Sequence, residues 1–284
     1  VRAVSLHRDV LVVTSAVLHV NCVVVRGTVG EGGGAAGGPA AGGSAGDAAE
    51  TSLQAETFVI DSPVLPDELD ALPTLLEQAR FPQPSGLLAT HGDWDHLLGR
   101  LAFPHVALGC AESTAGRLQA SPGDAQRALR TFDEELMIER PRPLALGSLQ
   151  ALPVPGRCEI GDRELELHRA HGHTHDGMAV WIPWARVLVA GDYLSSLEIP
   201  ALNGGDLIAD YLATLERLRP LLDSAEHVVP GHGPVLDRPQ ASMVLEEDVA
   251  YLHALRDRRT DGELPAGRRS RQQRLVHAAN LAAL

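Results

Sequence analysis

The chain contains no lysine, so all 24 of its basic side chains are arginine. That absence reads as a coding bias toward GC-rich codons and carries no mechanism. Cysteine is nearly as scarce. Cys22, Cys110 and Cys158 are odd in number, far apart and in no metal-type spacing, which excludes a disulfide framework or a cysteine zinc site. They are expected to be three buried small hydrophobes in a reducing cytosol, and the expected location is cytoplasmic. No apolar run approaches the roughly eighteen residues of a membrane span, so no membrane is expected as a partner. The first residues, Val1-Arg2-Ala3-Val4-Ser5, lack the apolar run and cleavage site of a signal peptide. The glycines of residues 30–46 are not followed by the Gly-Lys-Ser/Thr of a phosphate-binding loop, so they cradle no nucleotide. Positive charge is also short. The formal net charge of −13 disfavours nucleic acid as a partner. The one basic cluster, Arg268, Arg269, Arg271 and Arg274, is expected to be a solvated helix face.

What is present is a chain of 284 residues with a hydrophobic fraction of 44%, enough for a sizeable core. Asp9–Thr14 and Ala16–Arg26 are rich in Val and Leu and read as strands. The stretch Thr28–Ala49 is almost entirely Gly, Ala, Ser and Pro. It cannot bury enough surface to offset its chain entropy, so it predicts a flexible insertion. Glu56–Ile60 reads as a strand ending at Asp61, which makes the insertion an enlarged hairpin loop.

Helices and strands then alternate. Asp67–Arg80 has helical periodicity, with Leu69, Leu72, Leu75, Leu76 and Ala79 on one face. Gly86–Thr90 and Val106–Gly109 read as strands, His96–Leu101 opens a short helix, and Ala111–Leu118 and Gly123–Glu135 are helical. Leu149–Val154, Arg157–Ile160 and Glu164–Arg169 read as strands. Met178–Ile182 and Arg186–Ala190 form a hairpin across Pro183-Trp184. The helices Asp206–Leu222, Pro239–Arg259 and Arg268–Leu284 follow, with the strand His227–Val229 between the first two. Two runs of strands, each followed by helices, predict an α/β fold with two mixed sheets face to face and helices outside, an αββα sandwich. The expected organisation is one domain over 1–260 with the insertion at 28–49. Residues 261–284 form a helical extension packed on it.

The most informative stretch is Thr90-His91-Gly92-Asp93-Trp94-Asp95-His96. Four potential ligands lie within six residues, directly after a buried strand. A strand end is rigid, and the turn after it can aim several side chains at one point, where imidazole and carboxylate groups suit divalent cations. His171-Gly172-His173-Thr174-His175, Gly191-Asp192 and Pro230-Gly231-His232-Gly233 repeat the theme: each places His or Asp at a strand end beside glycine, which permits a sharp turn. His175 and Asp176 are candidates for supporting or proton-transfer roles, and Tyr193 for packing in the loop wall or bonding a substrate oxygen.

In order and spacing these motifs resemble the metallo-β-lactamase superfamily of metal-dependent hydrolases, with its Thr-His-x-His-x-Asp-His signature, Gly-His-Thr turn, Gly-Asp step and closing Gly-His. The resemblance covers roughly Leu11 to Leu236. It implies that His91, the residue at position 93 and His173 bind a first metal, that Asp95, His96 and His232 bind a second, and that Asp192 bridges them. Asp95 and Asp192 would be the catalytic carboxylates around a metal-held water or hydroxide. Two ions lower the pKa of such a water from about 16 toward neutrality. The implied cofactors are two divalent ions, zinc first, with iron or manganese as alternatives.

One position departs from the pattern. The family's second histidine is Asp93 here, an oxygen donor that is shorter and negatively charged and that favours harder ions. A carboxylate at this place, there glutamate, occurs in the family's flavo-diiron oxygen reductases. The expected function is hydrolysis of a small ester, thioester, lactone or related substrate. The alternatives are an iron-dependent redox enzyme, persulfide-dioxygenase-like or oxygen-reducing, and a non-catalytic metal-binding module. The expected partner is a small-molecule substrate, with a homodimer allowed.

Overall fold

The computed structural model describes residues 1–27, 55–203, 207–257 and 264–284. The insertion predicted at 28–49 lies outside them. The chain opens with four antiparallel strands, β1 (Arg2–His7), β2 (Val10–Thr14), β3 (Asn21–Gly27) and β4 (Glu56–Ile60). Helix α1 (Pro66–Gln78) crosses to β5 (Gly86–Ala89), which lies parallel to β4. A single 3₁₀ turn at Trp94–His96 and α2 (Gly99–Ala102) lead to β6 (Leu108–Ala111). Then α3 (Glu112–Ala120) and α4 (Asp124–Leu136) lead to β7 (Leu149–Leu152), completing a seven-stranded sheet in sequential order.

The second sheet is built from β8 (Gly156–Ile160), β9 (Arg163–Arg169), β10 (Met178–Ile182) and β11 (Val187–Gly191). After α5 (Ile208–Ser224) come β12 (His227–Pro230), parallel to β11, and the two-residue β13 (Leu236–Asp237). The helices α6 (Arg238–Arg256) and α7 (Arg271–Ala282) close the chain. No described helix is long and apolar enough to cross a membrane.

Strand alternation sorts the side chains into layers. On β2 and β3, Val10, Val12, Val23 and Val25 point between the sheets and meet Leu165, Leu167, Val180 and Val189. Their neighbours Leu11, Val13 and Val24 point the other way, onto Leu69, Leu72 and Leu76 of α1. On the far side, Leu188 and Val228 pack on Leu215 and Leu218 of α5 and on Leu245 and Leu252 of α6. The chain is therefore an αββα sandwich of two mixed sheets, as the run of strands and helices predicts. Strands buried on both faces explain the continuous Val/Leu runs.

Several boundaries differ from expectation. The predicted strand Ala16–Arg26 begins only at Asn21. Leu18 and His19 adopt left-handed backbone at φ 58° and 53°, and the chain turns there despite its apolar side chains. Strand β1 went unpredicted because it is an edge strand with no buried position and polar residues at half of its length. The arginine cluster is only partly a solvated face. Arg269, Arg271 and Arg274 are exposed, but Arg268 is buried against Asp248 and Glu247. Cys22 and Cys110 are buried, whereas Cys158 is only partly so.

Candidate metal centre

The parallel strands end at one edge of the sandwich, and every motif singled out in the sequence follows one of those ends or a neighbouring strand. Loops beyond the carboxyl ends of such strands are where α/β sheets bind ligands. His91 follows β5, His173 follows β9, Asp192 follows β11 and His232 follows β12. Glycines take the tight positions between them. Gly172 and Gly191 have φ of 130° and 61°, backbone that other residues rarely adopt.

These side chains converge. Asp192 Oδ2 lies 3.2 Å from His173 Nε2, 3.4 Å from His232 Nε2 and 3.6 Å from His91 Nε2. Its Oδ1 lies 3.2 Å from His96 Nε2. Asp95 Oδ2 lies 3.4 Å from His232 Nε2. Two groups result, His91–His173–Asp192 and Asp95–His96–His232, each with potential donor atoms within 4.8 Å of one another. Asp192 touches both. Trp94, between the ligand candidates, turns away and stacks on Phe132 of α4 at 4.6 Å between ring centroids.

The rings are held from behind. His96 Nδ1 lies 2.9 Å from Asp61 Oδ2, His173 Nδ1 lies 3.1 Å from Ala201 O, and His232 Nδ1 lies 2.9 Å from Leu18 O. His91 Nδ1 meets Thr90 Oγ1 at 3.1 Å, and that hydroxyl donates to Asp61 Oδ2. Acceptors at each Nδ1 place the proton there and leave Nε2 with a lone pair facing the centre.

The donor set fits cations. His91 Nε2, His96 Nε2 and Asp192 Oδ1 are buried and lack a hydrogen-bond partner, a state that costs stability unless something else meets them. Burial opposes a charge on His96, His173 and His232, yet the surrounding carboxylates, Asp192 foremost, together outweigh it and raise all three pKa values, His232 to about 10. Burial likewise opposes ionisation of Asp192, and the surrounding imidazoles still hold it well below the usual carboxylate range. The pocket thus calls for positive charge, which divalent ions supply while leaving the imidazoles neutral.

Asp93 sits at the rim. Its Oδ2 lies 3.4 Å from His173 Nε2 and 3.7 Å from His91 Nε2, while Oδ1 accepts from Arg117 at 2.6 Å. It belongs to neither compact donor group. His175 is exposed. Tyr193 is buried, stacks on Tyr211 and accepts a hydrogen bond from the His173 amide, so it braces the loop wall. Asp176, expected in a supporting role, takes the Gly92 amide and Arg117. Three residues here escaped the sequence reading: Asp61, Arg117 and Glu198. Burial raises the Glu198 carboxyl pKa, and its charge acts on His232. Only Asp61 carried a signal, a carboxylate directly after a strand.

Comparison with known proteins agrees with this geometry. The profile of the metallo-beta-lactamase superfamily matches residues 65–232. The chain belongs to this superfamily. Among solved structures, a metallo-beta-lactamase family protein from Thermus thermophilus superposes with a TM-score of 0.64 at 20% identity, covering 99% of this chain and 93% of that one. A metallo-beta-lactamase from Pontibacter korlensis gives 0.55 at 18%, covering 89% and 98%. Among curated proteins, the acyl-coenzyme A thioesterase MBLAC2 of Gallus gallus is 28% identical over 59% of this chain and 64% of its own. Its Homo sapiens counterpart is 26% identical over 53% and 56%. The chain thus spans less than two thirds of the length of these relatives.

Proposed function

We propose that this chain is a metal-dependent hydrolase that cleaves acyl thioesters, with two divalent ions as cofactors and zinc as the first expectation. The observation that carries the reading is the convergence of His91, His173, Asp95, His96 and His232 on the two oxygens of Asp192, with three buried polar atoms left unpaired. His91, His173 and Asp192, with Asp93 beside them, would hold one ion. Asp95, His96 and His232, with Asp192 shared, would hold the other. Bound ions of this kind lower the pKa of a water and polarise a carbonyl oxygen.

The chain's own residues supply the rest. Asp61, Ala201 O and Leu18 O fix the ring orientations, so little rearrangement is needed when a substrate arrives. Asp95, whose Oδ2 lies 3.4 Å from His232 Nε2, would accept a hydrogen bond from a water held there and orient it. A cleft of about 350 Å³ opens at Gly92, Asp93, Trp94 and Asn203. A larger one of about 830 Å³ runs past Leu6, Val12, Leu197 and Leu236 and reaches Gly233, next to His232. Its apolar lining suits an acyl chain, and the acyl-coenzyme A thioesterase relatives favour the thioester among the bonds that such a centre could cleave.

The test is thiol release from acyl-coenzyme A substrates of increasing chain length, alongside a cephalosporin, by protein of known metal content. Chelator-sensitive thiol release is expected. Cephalosporin turnover without thiol release would overturn the thioester reading. A second reading follows from Asp93, since an oxygen donor facing His91 and His173 favours a harder ion. Iron in the native protein, with oxygen uptake on a persulfide substrate, would establish it in place of hydrolysis.

A further inference from the structure

The substitution of a carboxylate for an imidazole at position 93 adds a negative charge to a centre that already holds Asp95 and Asp192. At low dielectric such an addition is costly unless something offsets it. The offset is visible. Arg117, projecting from α3, donates through Nη2 to Asp93 Oδ1 at 2.6 Å and through Nη1 to Asp176 Oδ1 at 2.7 Å. Asp176 is buried, and its other oxygen accepts from the Gly92 amide at 2.9 Å. The turn carrying Asp93 is therefore pinned through both its backbone and its side chain. A Cβ on Gly92 would lie 3.2 Å from Asp176 Oδ2, so the glycine lets the carboxylate approach this closely.

We infer that Arg117 is the positioning residue for Asp93, and that Arg117 and Asp93 together replace the single imidazole found elsewhere in the superfamily. Arg117 carries a positive charge against the negative one that Asp93 adds, and holds Asp176 on its other nitrogen. The planar guanidinium fork fixes Asp93 Oδ1 on one side and so turns Oδ2 toward His91 and His173, where the first ion would sit. The fork bonds a carboxylate and has nothing to donate to on a neutral imidazole with one ring nitrogen on a metal and the proton on the other. As a support for the side chain at 93, Arg117 thus belongs with aspartate and is not needed with histidine, while its bond to Asp176 is the same in either case. The inference rests on the metal-centre reading given above and not on the substrate.

The test is a double-mutant cycle read as metal affinity. Chelator-stripped protein is titrated with zinc(II) and with manganese(II) by calorimetry, and the melting temperature of each stripped variant is recorded. Arg117→Met should weaken one zinc equivalent about 10- to 100-fold, the usual cost of losing an outer partner of a ligand. Arg117→Met combined with Asp93→His should recover to within about threefold of the parent, a coupling that the cycle isolates. An arginine that merely braced α3 would lower the melting temperature equally in both backgrounds and would gain nothing from Asp93→His. If Arg117→Met does not fold, Arg117→Gln, neutral but still a donor, is read the same way. Unchanged zinc affinity in the single variant, or a double variant no better than the single, overturns the inference while leaving the metal centre intact. A parent protein that binds neither metal overturns both.

Discussion

Asp61 shows how much of the centre depends on a residue that is not a ligand. It directly follows β4 in left-handed backbone, φ 57°, and its carboxylate takes the Thr90 amide, the Thr90 hydroxyl and His96 Nδ1. Through Thr90 it also orients His91. Asp61→Ala should free two candidate ligand rings at once and lower zinc affinity about 10- to 100-fold. Calorimetry on stripped protein reads this, and unchanged affinity would contradict it. Alanine at His96, His173, Asp192 or His232 should do more, lowering bound zinc by orders of magnitude in elemental analysis; full metal content in two of the four would dismantle the assignment. These four were legible in the sequence because each stands at a strand end beside a glycine or within the dense His91–His96 run. The supporting residues were not. Asp61 lies 35 positions from His96, and Arg117 lies 24 from Asp93 and 59 from Asp176. No local pattern encodes a pairing at such distances.

Among the elements, α7 reaches the centre indirectly. Gln273 Oε1 accepts from the Ile199 amide, and Asn280 accepts from the Leu202 amide while donating to Pro200 O. Arg268 donates to the carbonyls of Ser195 and Glu198. The segment so gripped carries Ala201 O, the acceptor for His173 Nδ1, and Ser195, which donates to His232 O. Periodicity found the helix, but an arginine cluster gave no hint that Arg268 turns inward. Asn280→Ala would leave buried amide and carbonyl groups unmet, each at about 1–3 kcal/mol, so a clear fall in melting temperature is expected; a neutral result would remove the latch. The partner of Arg268 adds a pH term. Burial pushes the Asp248 carboxyl up to about 7, with Arg268 opposing the shift and Glu247 adding to it. The folded state then holds that proton more tightly than the unfolded chain, whose value is near 3.8. The stabilisation is complete below about pH 4 and is lost as pH rises through 7. Asp248→Asn cannot ionise, so in urea unfolding at pH 5, 6.5 and 8 it should gain on the parent as pH rises. Parallel pH profiles would exclude the effect.

At the scale of the whole molecule, strand alternation and helical periodicity determine four layers, and the layers bring distant strand ends to one edge. That is why composition and pattern sufficed for the sandwich, while the turn at Leu18–His19, set by backbone dihedrals, did not announce itself. The same architecture makes the segment between β3 and β4 a test of what the fold requires. Gly27 and Glu56 face each other across an antiparallel pair, so a short turn can join them without disturbing register. Gly27 itself must stay, because a Cβ there would collide with the carbonyl of Ile160 on β8. The sequence between them is nearly all small residues and offers no hydrophobic face to bury. Replacing residues 28–55 by a four-residue turn removes about 1.7 kcal/mol of closure entropy at most, since the cost grows only with the logarithm of length. A chain of this size should then melt at the parent temperature or a few degrees above it, about 2–4 °C per kcal/mol. Zinc affinity should be unchanged, because no ligand candidate lies on β3 or β4. A fall of more than about 5 °C on that scale, or a loss of metal, would mean that the segment packs on the sandwich and belongs to its core.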